Sequence, residues 1–405
     1  MRDMAEDAAL IAHLLRRLTF GPFPGQVEEL SPLGVPATLE QLLAAPALTP
    51  DEPQLGTGDD YSVMRNWWRR ILVSRDAALP EKILWFWHGH LTSSLSKTEP
   101  GLMLIQHRTM RQHALGNLRE FLQAMTIDPA MLEWLDGNGS TAEAPNENYS
   151  RELMELFALG VGNYTEADVR AGSIALAGWG VNYDGGISTY FDESLAPSEP
   201  VEFLGRTVSR AAEVVDAVCD HEAFAPWIVG RLYEFLVGEP PSDDRRTELA
   251  TGFRESGLEI RPLVESIVRH PSFLEIRMNR PRTGLEWFAA AQGFLDAEFE
   301  EWRLYELGHM PFEPPNVAGW PGHERWVSAG AVMAKAAAAW EYSGDTPTFE
   351  TDDPVGEVLA KAELYEVSDE TRATLQDAAD SVDGRREKST LLHALVPCTP
   401  EFNLA

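Results

Sequence analysis

Apolar residues recur along most of this chain at the three- and four-residue spacing of helices that face a core. That spacing predicts a first helix over residues 5–17, closed by "TFGPFPG", where Gly21, Pro22, Pro24 and Gly25 forbid continuation. Further helices are predicted near 36–45, 60–78, 80–91, 101–125 and 147–160, the last stopped at Gly160, a natural left-handed cap. "TEAD" at 165–168 is a capping-box variant that opens the next helix toward Trp179. The pattern then changes. "VNYDGGISTYFDESLAPSEPVEFLG" (181–205) has short β-prone runs on either side of an Asp-Gly-Gly turn and predicts a small hairpin. Helical spacing resumes over about 208–308. A Pro/Gly/aromatic loop follows at 309–326, with Trp320 and Trp326 as packing clamps and His309 and His323 as possible site residues.

The expected fold is therefore mainly α, a multi-helix orthogonal bundle with one small β-hairpin insertion. The main helical unit is expected over 1–342, with a sub-boundary near 205. An acidic segment of peripheral helices is expected over 343–405.

Placing each side chain at 100° per residue shows which polar groups share apolar faces. In 147–160 the apolar arc is Tyr149, Leu153, Leu156, Phe157 and Leu159; Glu152 falls inside it, Asn148 and Glu155 flank it, and Glu147 and Arg151 point away. In 101–125 His107 and Arg111 sit within a stripe of Met103, Met110, Ala114, Leu118, Phe121 and Met125. In "PEKILWFWHGHL" His90 shares a face with Ile83, Phe86 and Trp87, and His88 points elsewhere, so the two cannot chelate one metal on a regular helix.

Isolated buried charge is costly, so these inward groups must meet one another, a metal or a ligand. Three readings stand. In the first, Arg111 and Glu152 form a structural ion pair and the histidines are satisfied core residues. In the second, His90, His107, Glu152 and Glu155 ligate a divalent metal ion, although the spacing is not the Glu-x-x-His of helical metal bundles. In the third, a metal-free pocket places Glu152, His90 and Arg111 in catalytic roles, with His88, Glu147 and Asn148 nearby. "DGNGSTAEAPNE" (136–147) matches a calcium loop only in part and reads as an Asx-rich turn.

Composition narrows the partners. With 33 Lys and Arg against 64 Asp and Glu, the net charge of −31 repels phosphate backbones and anionic membrane surfaces, which disfavours nucleic acid and membrane as partners. Two cysteines without close spacing exclude a disulfide framework. The first residues carry charges throughout and no signal-like apolar stretch, which predicts a cytoplasmic location. Nucleotide-loop, nucleophile-elbow and Walker sequences are not found.

Several motifs occur together and in order: "RRLTFGPFPGQVEEL", "FWHGHLTSS", "HALGNLREFLQAMTIDPAMLEWLDG", "APNENYSRELMELFALGVGNYTEADV", "PPNVAGWPG" and "PEFNLA". In this the chain resembles the large bacterial family catalogued as domain of unknown function 1800. The resemblance implies a single, mainly helical protein without an established activity, often exported and often encoded beside a sulfatase-like partner family. Carried over by position, it points to His90, Glu147, Asn148, Glu152, Glu155, Asn316 and Trp320. This chain departs from the pattern at "APSEPVEFLG" (196–205), where many members place a His-Asp pair. The resemblance leaves two functions open: an uncharacterised, metal-assisted enzyme, or a non-catalytic scaffold that binds a partner.

Overall fold

The computed structural model describes residues 4–56, 58–349 and 351–405. Helices dominate, and among the described residues the only sheets are two antiparallel two-stranded ones. The predicted first helix spans Met4–Leu18, with Glu6 and Asp7 in its first turn and Arg16 and Arg17 in its last, charges that suit the helix dipole at both ends. The predicted 80–91 helix spans Leu79–His90 and begins with Pro80 in its first turn.

The predicted 101–125 helix is two helices, Pro100–His113 and Leu118–Thr126. Asn117 makes the break. Its side chain accepts from the amides of Arg119 and Glu120, which caps the second helix. Around it the backbone pairs with a distant segment: Leu118 N donates to Leu258 O and Ile260 N to Gly116 O, each at 2.9 Å. The apolar stripe survives the break, and Met103, Met110, Ala114, Leu118, Phe121 and Met125 are all buried.

The 147–160 segment starts as an α-helix over Asn148–Glu152 and widens into a π-helical turn over Leu153–Ala158. Leu159 N donates to Met154 O, five residues back, and Gly160 N to the same carbonyl. Gly160 then closes the helix at φ +80°, as its left-handed cap requires. The capping box of Thr165 and Asp168 is formed and opens the helix Glu166–Ala175.

The predicted insertion holds two hairpins. Strand β1 (Trp179–Asn182) pairs with β2 (Ser188–Phe191) in the register Trp179↔Phe191, around the Asp184-Gly185-Gly186 turn. Strand β3 (Val201–Phe203) pairs with β4 (Arg206–Val208).

The 309–326 loop is fastened to the Leu79–His90 helix and the residues after it. Phe312 N donates to His88 Nε2 at 3.1 Å, Leu95 N donates to Phe312 O at 2.8 Å, and the Thr92 hydroxyl donates to Val317 O. Gly319, at φ +84°, lies so close to the helix that a Cβ built on it would fall 2.2 Å from Gly89 O. Two glycines therefore let a loop backbone and a helix backbone touch.

Candidate functional site

The inward polar groups predicted from sequence do not converge as a set. Arg111 is paired, but with Glu81: Nη2 donates to Oε2 at 3.0 Å, Nη1 donates to Oε1, and Nη1 also reaches Leu48 O at 3.1 Å. Trp68 Nε1 adds a bond to Glu81 at 3.3 Å. The expected Arg111–Glu152 pair is thus replaced by Arg111–Glu81. Glu81 looked like an ordinary first-turn acid, and only the packing of two helices shows that it is buried.

Glu152 stands half-buried near Glu155. Burial and then the Glu155 charge push its carboxyl upward, with Arg151 pulling the other way. Glu152 closes the regular α-helical part, and the π turn that begins at Leu153 takes more residues per rotation, so the leucines after it leave the 100° line on which Glu152 was placed. Glu155 accepts from Tyr164 Oη at 2.8 Å. His107 sits edge-on to Trp67 and Trp68, with its Nε2 buried and unpartnered. His90, His107, Glu152 and Glu155 therefore do not assemble as a ligand set. Among the described residues, no group of three or more His, Cys, Asp or Glu side chains could hold a metal ion.

The remaining candidates are tied into local structure. Glu147 pairs with Arg151 at 3.3 Å, Asn148 donates to Asp136 at 3.1 Å, and Asp136 is held by Lys97 at 2.7 Å. That closes the 136–147 stretch as a turn. Asn316 accepts from Ala318 N at 2.9 Å and shapes the Pro-Pro-Asn-Val turn.

Four of the sequence candidates, His90, His309, Trp320 and His323, line one cleft of about 210 Å³. The Leu79–His90 helix supplies Trp85, Phe86, Gly89 and His90, and the helix Phe224–Val237 supplies Arg231, Glu234 and Phe235. The loop supplies His309, Trp320, Pro321, Gly322, His323 and Trp326, and Thr283 contributes from the start of the helix Gly284–Leu295.

One wall is a run of touching rings. Trp85 and Trp320 stack with centroids 4.6 Å apart, Trp320 meets His309 edge-on at 4.9 Å, and His309 meets Trp326 at 4.5 Å. On the other wall Phe86 stacks on His90 at 5.5 Å and meets Phe235 at 5.2 Å. A Cβ on Gly89 would touch Trp320 at 3.4 Å, so the absent side chain leaves room for the indole.

Hydrogen bonds fix the tautomers of the two buried histidines. Leu285 N donates to His309 Nδ1 at 3.0 Å, so the proton of neutral His309 is on Nε2. The His90 Nε2–H donates to Phe157 O at 2.8 Å and leaves Nδ1 as an acceptor. Burial pushes both rings down to about 3, so both are neutral near pH 7. Burial also lowers His323. At the mouth Arg231 and Glu234 lie 3.9 Å apart, both substantially exposed.

Beneath the cleft lies a charge cluster the sequence reading missed. Lys82 Nζ donates to Glu286 Oε1 at 2.5 Å and to Thr19 O at 2.8 Å. Arg280 grips the same carboxylate with two bonds of 2.7 Å. Burial works to raise Glu286, but Arg280 and Lys82 outweigh it and hold the acid well below its ordinary value. Burial pulls Lys82 down to about 8, against the charge of Glu286. A signal was available: "TGLE" at 283–286 is a capping box, and Lys82 interrupts an apolar run.

The architecture is that of a mainly α-helical protein with an aromatic cleft between a helix pair and a clamped loop. The chain belongs to the family described as Protein of unknown function (DUF1800), whose sequence profile matches residues 13–404. No match was found among curated proteins or among solved structures. Among the described residues no helix is long and apolar enough to cross a membrane.

Proposed function

We propose that the protein binds a small organic molecule in the aromatic cleft without a metal, and that the Arg111–Glu81 and Lys82–Glu286–Arg280 clusters serve the fold. The observation that carries this reading is the convergence of three tryptophans, two phenylalanines and two neutral histidines, both protonated at Nε2, on one concave site. His90 offers a lone pair and His309 an N–H, which orient a ligand. Bases held near 3 are poorly matched to proton abstraction at neutral pH, so binding is favoured over acid–base catalysis.

The test is ligand-observed NMR on the full chain with indole, glucose and choline as probes, repeated on Trp320→Ala. Saturable binding of at least one probe, lost in the variant while the fold is retained, is the expected result. Binding of none, or binding indifferent to Trp320, refutes the reading.

A second reading, partner binding, is favoured by one exposed apolar face. Met333 and Trp340 on the helix Ala329–Tyr342 are 70% and 65% exposed, and Trp302 and Tyr305 on the helix Glu301–Glu306 are also exposed. The partner would be the sulfatase-like protein that the resemblance implies. Co-elution of the two purified proteins, abolished by Met333→Asp with Trp340→Asp, tests it; no co-elution removes it.

A further inference from the structure

We infer that the ligand of this cleft is a compact organic cation, a quaternary or otherwise alkylated ammonium. This rests on the cleft reading above and names the chemistry of its occupant.

The walls supply the first argument. Ring faces carry negative quadrupoles, tryptophan most strongly, and a cation with its charge spread over methyl groups gains from them while losing little hydration. Trp85, Trp320 and Trp326 line the site together with Phe86 and Phe235.

Charge supplies the second. Among the lining residues Arg231 is the one fixed cation, and it faces Glu234. His90 and His309 carry no charge near neutral pH, so an anion finds no unpaired positive group in the interior. The net charge of −31 gives the molecule as a whole a field that gathers cations and repels anions.

Hydrogen-bonding capacity supplies the third. A sugar needs a partner for each buried hydroxyl. The two imidazoles offer one acceptor, His90 Nδ1, and one donor, His309 Nε2–H, while the indole N–H groups of Trp85, Trp320 and Trp326 add donors only and cannot meet a sugar's hydroxyl protons. The Thr283 hydroxyl already accepts from Glu286 N at 3.3 Å. Those two groups suit a single polar tail, such as the hydroxyl of choline.

The experiment is isothermal titration of the full chain with choline, with its neutral tert-butyl isostere in which carbon replaces the ammonium nitrogen, and with glucose. Choline is expected to bind at least about tenfold tighter than the isostere, and the preference to shrink as salt screens the field. Trp320→Leu keeps the apolar bulk and removes the π face, so it should erase the preference while the isostere still binds. Thermal unfolding checks that variant. If it does not fold, Glu234→Gln at the exposed mouth should weaken choline several-fold and leave the isostere unchanged. Equal affinity for choline and isostere, or preference for glucose, overturns the cation and leaves the cleft as a binding site. Binding of none of the three overturns both.

Discussion

Acid should unfold this protein earlier than its carboxylates alone would. Six of its ten histidines, His13, His88, His90, His107, His309 and His393, are buried. Burial, the largest cause for each, holds His88, His90 and His309 down to about 3, His393 to about 4, and His13 and His107 well below the ordinary imidazole range. The unfolded chain takes up these protons near pH 6.5, and the native core refuses them until about 3 at His88, His90 and His309 and about 4 at His393, with His13 and His107 displaced in the same direction. Between those limits the unfolded state binds more protons, so stability is full above about 6.5 and falls as the pH drops. Each site costs about 1.4 kcal/mol per pH unit, so six cost about 8 kcal/mol near pH 5.5. That is comparable to the whole stability of a typical domain, about 5–15 kcal/mol. Glu286, held low by Arg280 and Lys82 against its burial, works in the same direction only at lower pH. The assay is the urea midpoint as a function of pH, followed by far-UV circular dichroism. A steep fall beginning near pH 6 is expected, and His90→Gln, which keeps a donor for Phe157 O, should reduce the slope by about one proton. A flat profile from about pH 6.5 to 4.5 would refute the neutral-histidine core.

Three further outcomes follow from the packing. Glu286→Gln leaves Lys82 and Arg280 buried without a counter-charge and should cost about 3–5 kcal/mol by urea unfolding, more than Lys82→Met, which leaves the Arg280–Glu286 pair intact. Arg111→Met strands the buried Glu81 carboxylate and should cost a similar amount, whereas Glu152→Gln should change stability by no more than about 0.5 kcal/mol; the reverse order in the same assay would restore the Arg111–Glu152 pairing. Gly319→Ala places a methyl against Gly89 O at a positive φ and should cost about 1–3 kcal/mol or more, read as faster proteolysis within 309–326; unchanged proteolysis would show that the two backbones do not touch.

Helix identity and the buried stripes were legible because apolar spacing reports them directly. The break at Asn117 was not, since its cause is a backbone pairing with Leu258 and Ile260, more than a hundred residues away. Glu152 was set among Leu153, Leu156 and Leu159 by a wheel that assumes one angular step, and the π turn at Leu153–Ala158 moves the leucines after it off that step. The search for inward polar groups found His90 and Arg111, both of which do lie against the interior. It missed Glu81 and Lys82, which sit in the first turn of their helix, where exposed charge is ordinary. Trp320 was read as a clamp, and it is one: it stacks on Trp85 and also walls the cleft. The joining of three distant segments around that cleft is long-range information that local spacing does not carry.

The contact of Gly89 with Gly319 limits how this site can diversify. Where two backbones meet with no side chain between them, substitution on either strand can only push them apart. The helix wall and the loop wall are therefore fixed in spacing where they meet, and no substitution at Gly89 or Gly319 can draw them closer. Adjustable positions lie on the third segment, at Arg231, Glu234 and Phe235, none of them within the sequence motifs that mark the family. On the proposed binding reading, differences in ligand among related chains are expected at those three positions, on a helix outside the motifs that mark the family.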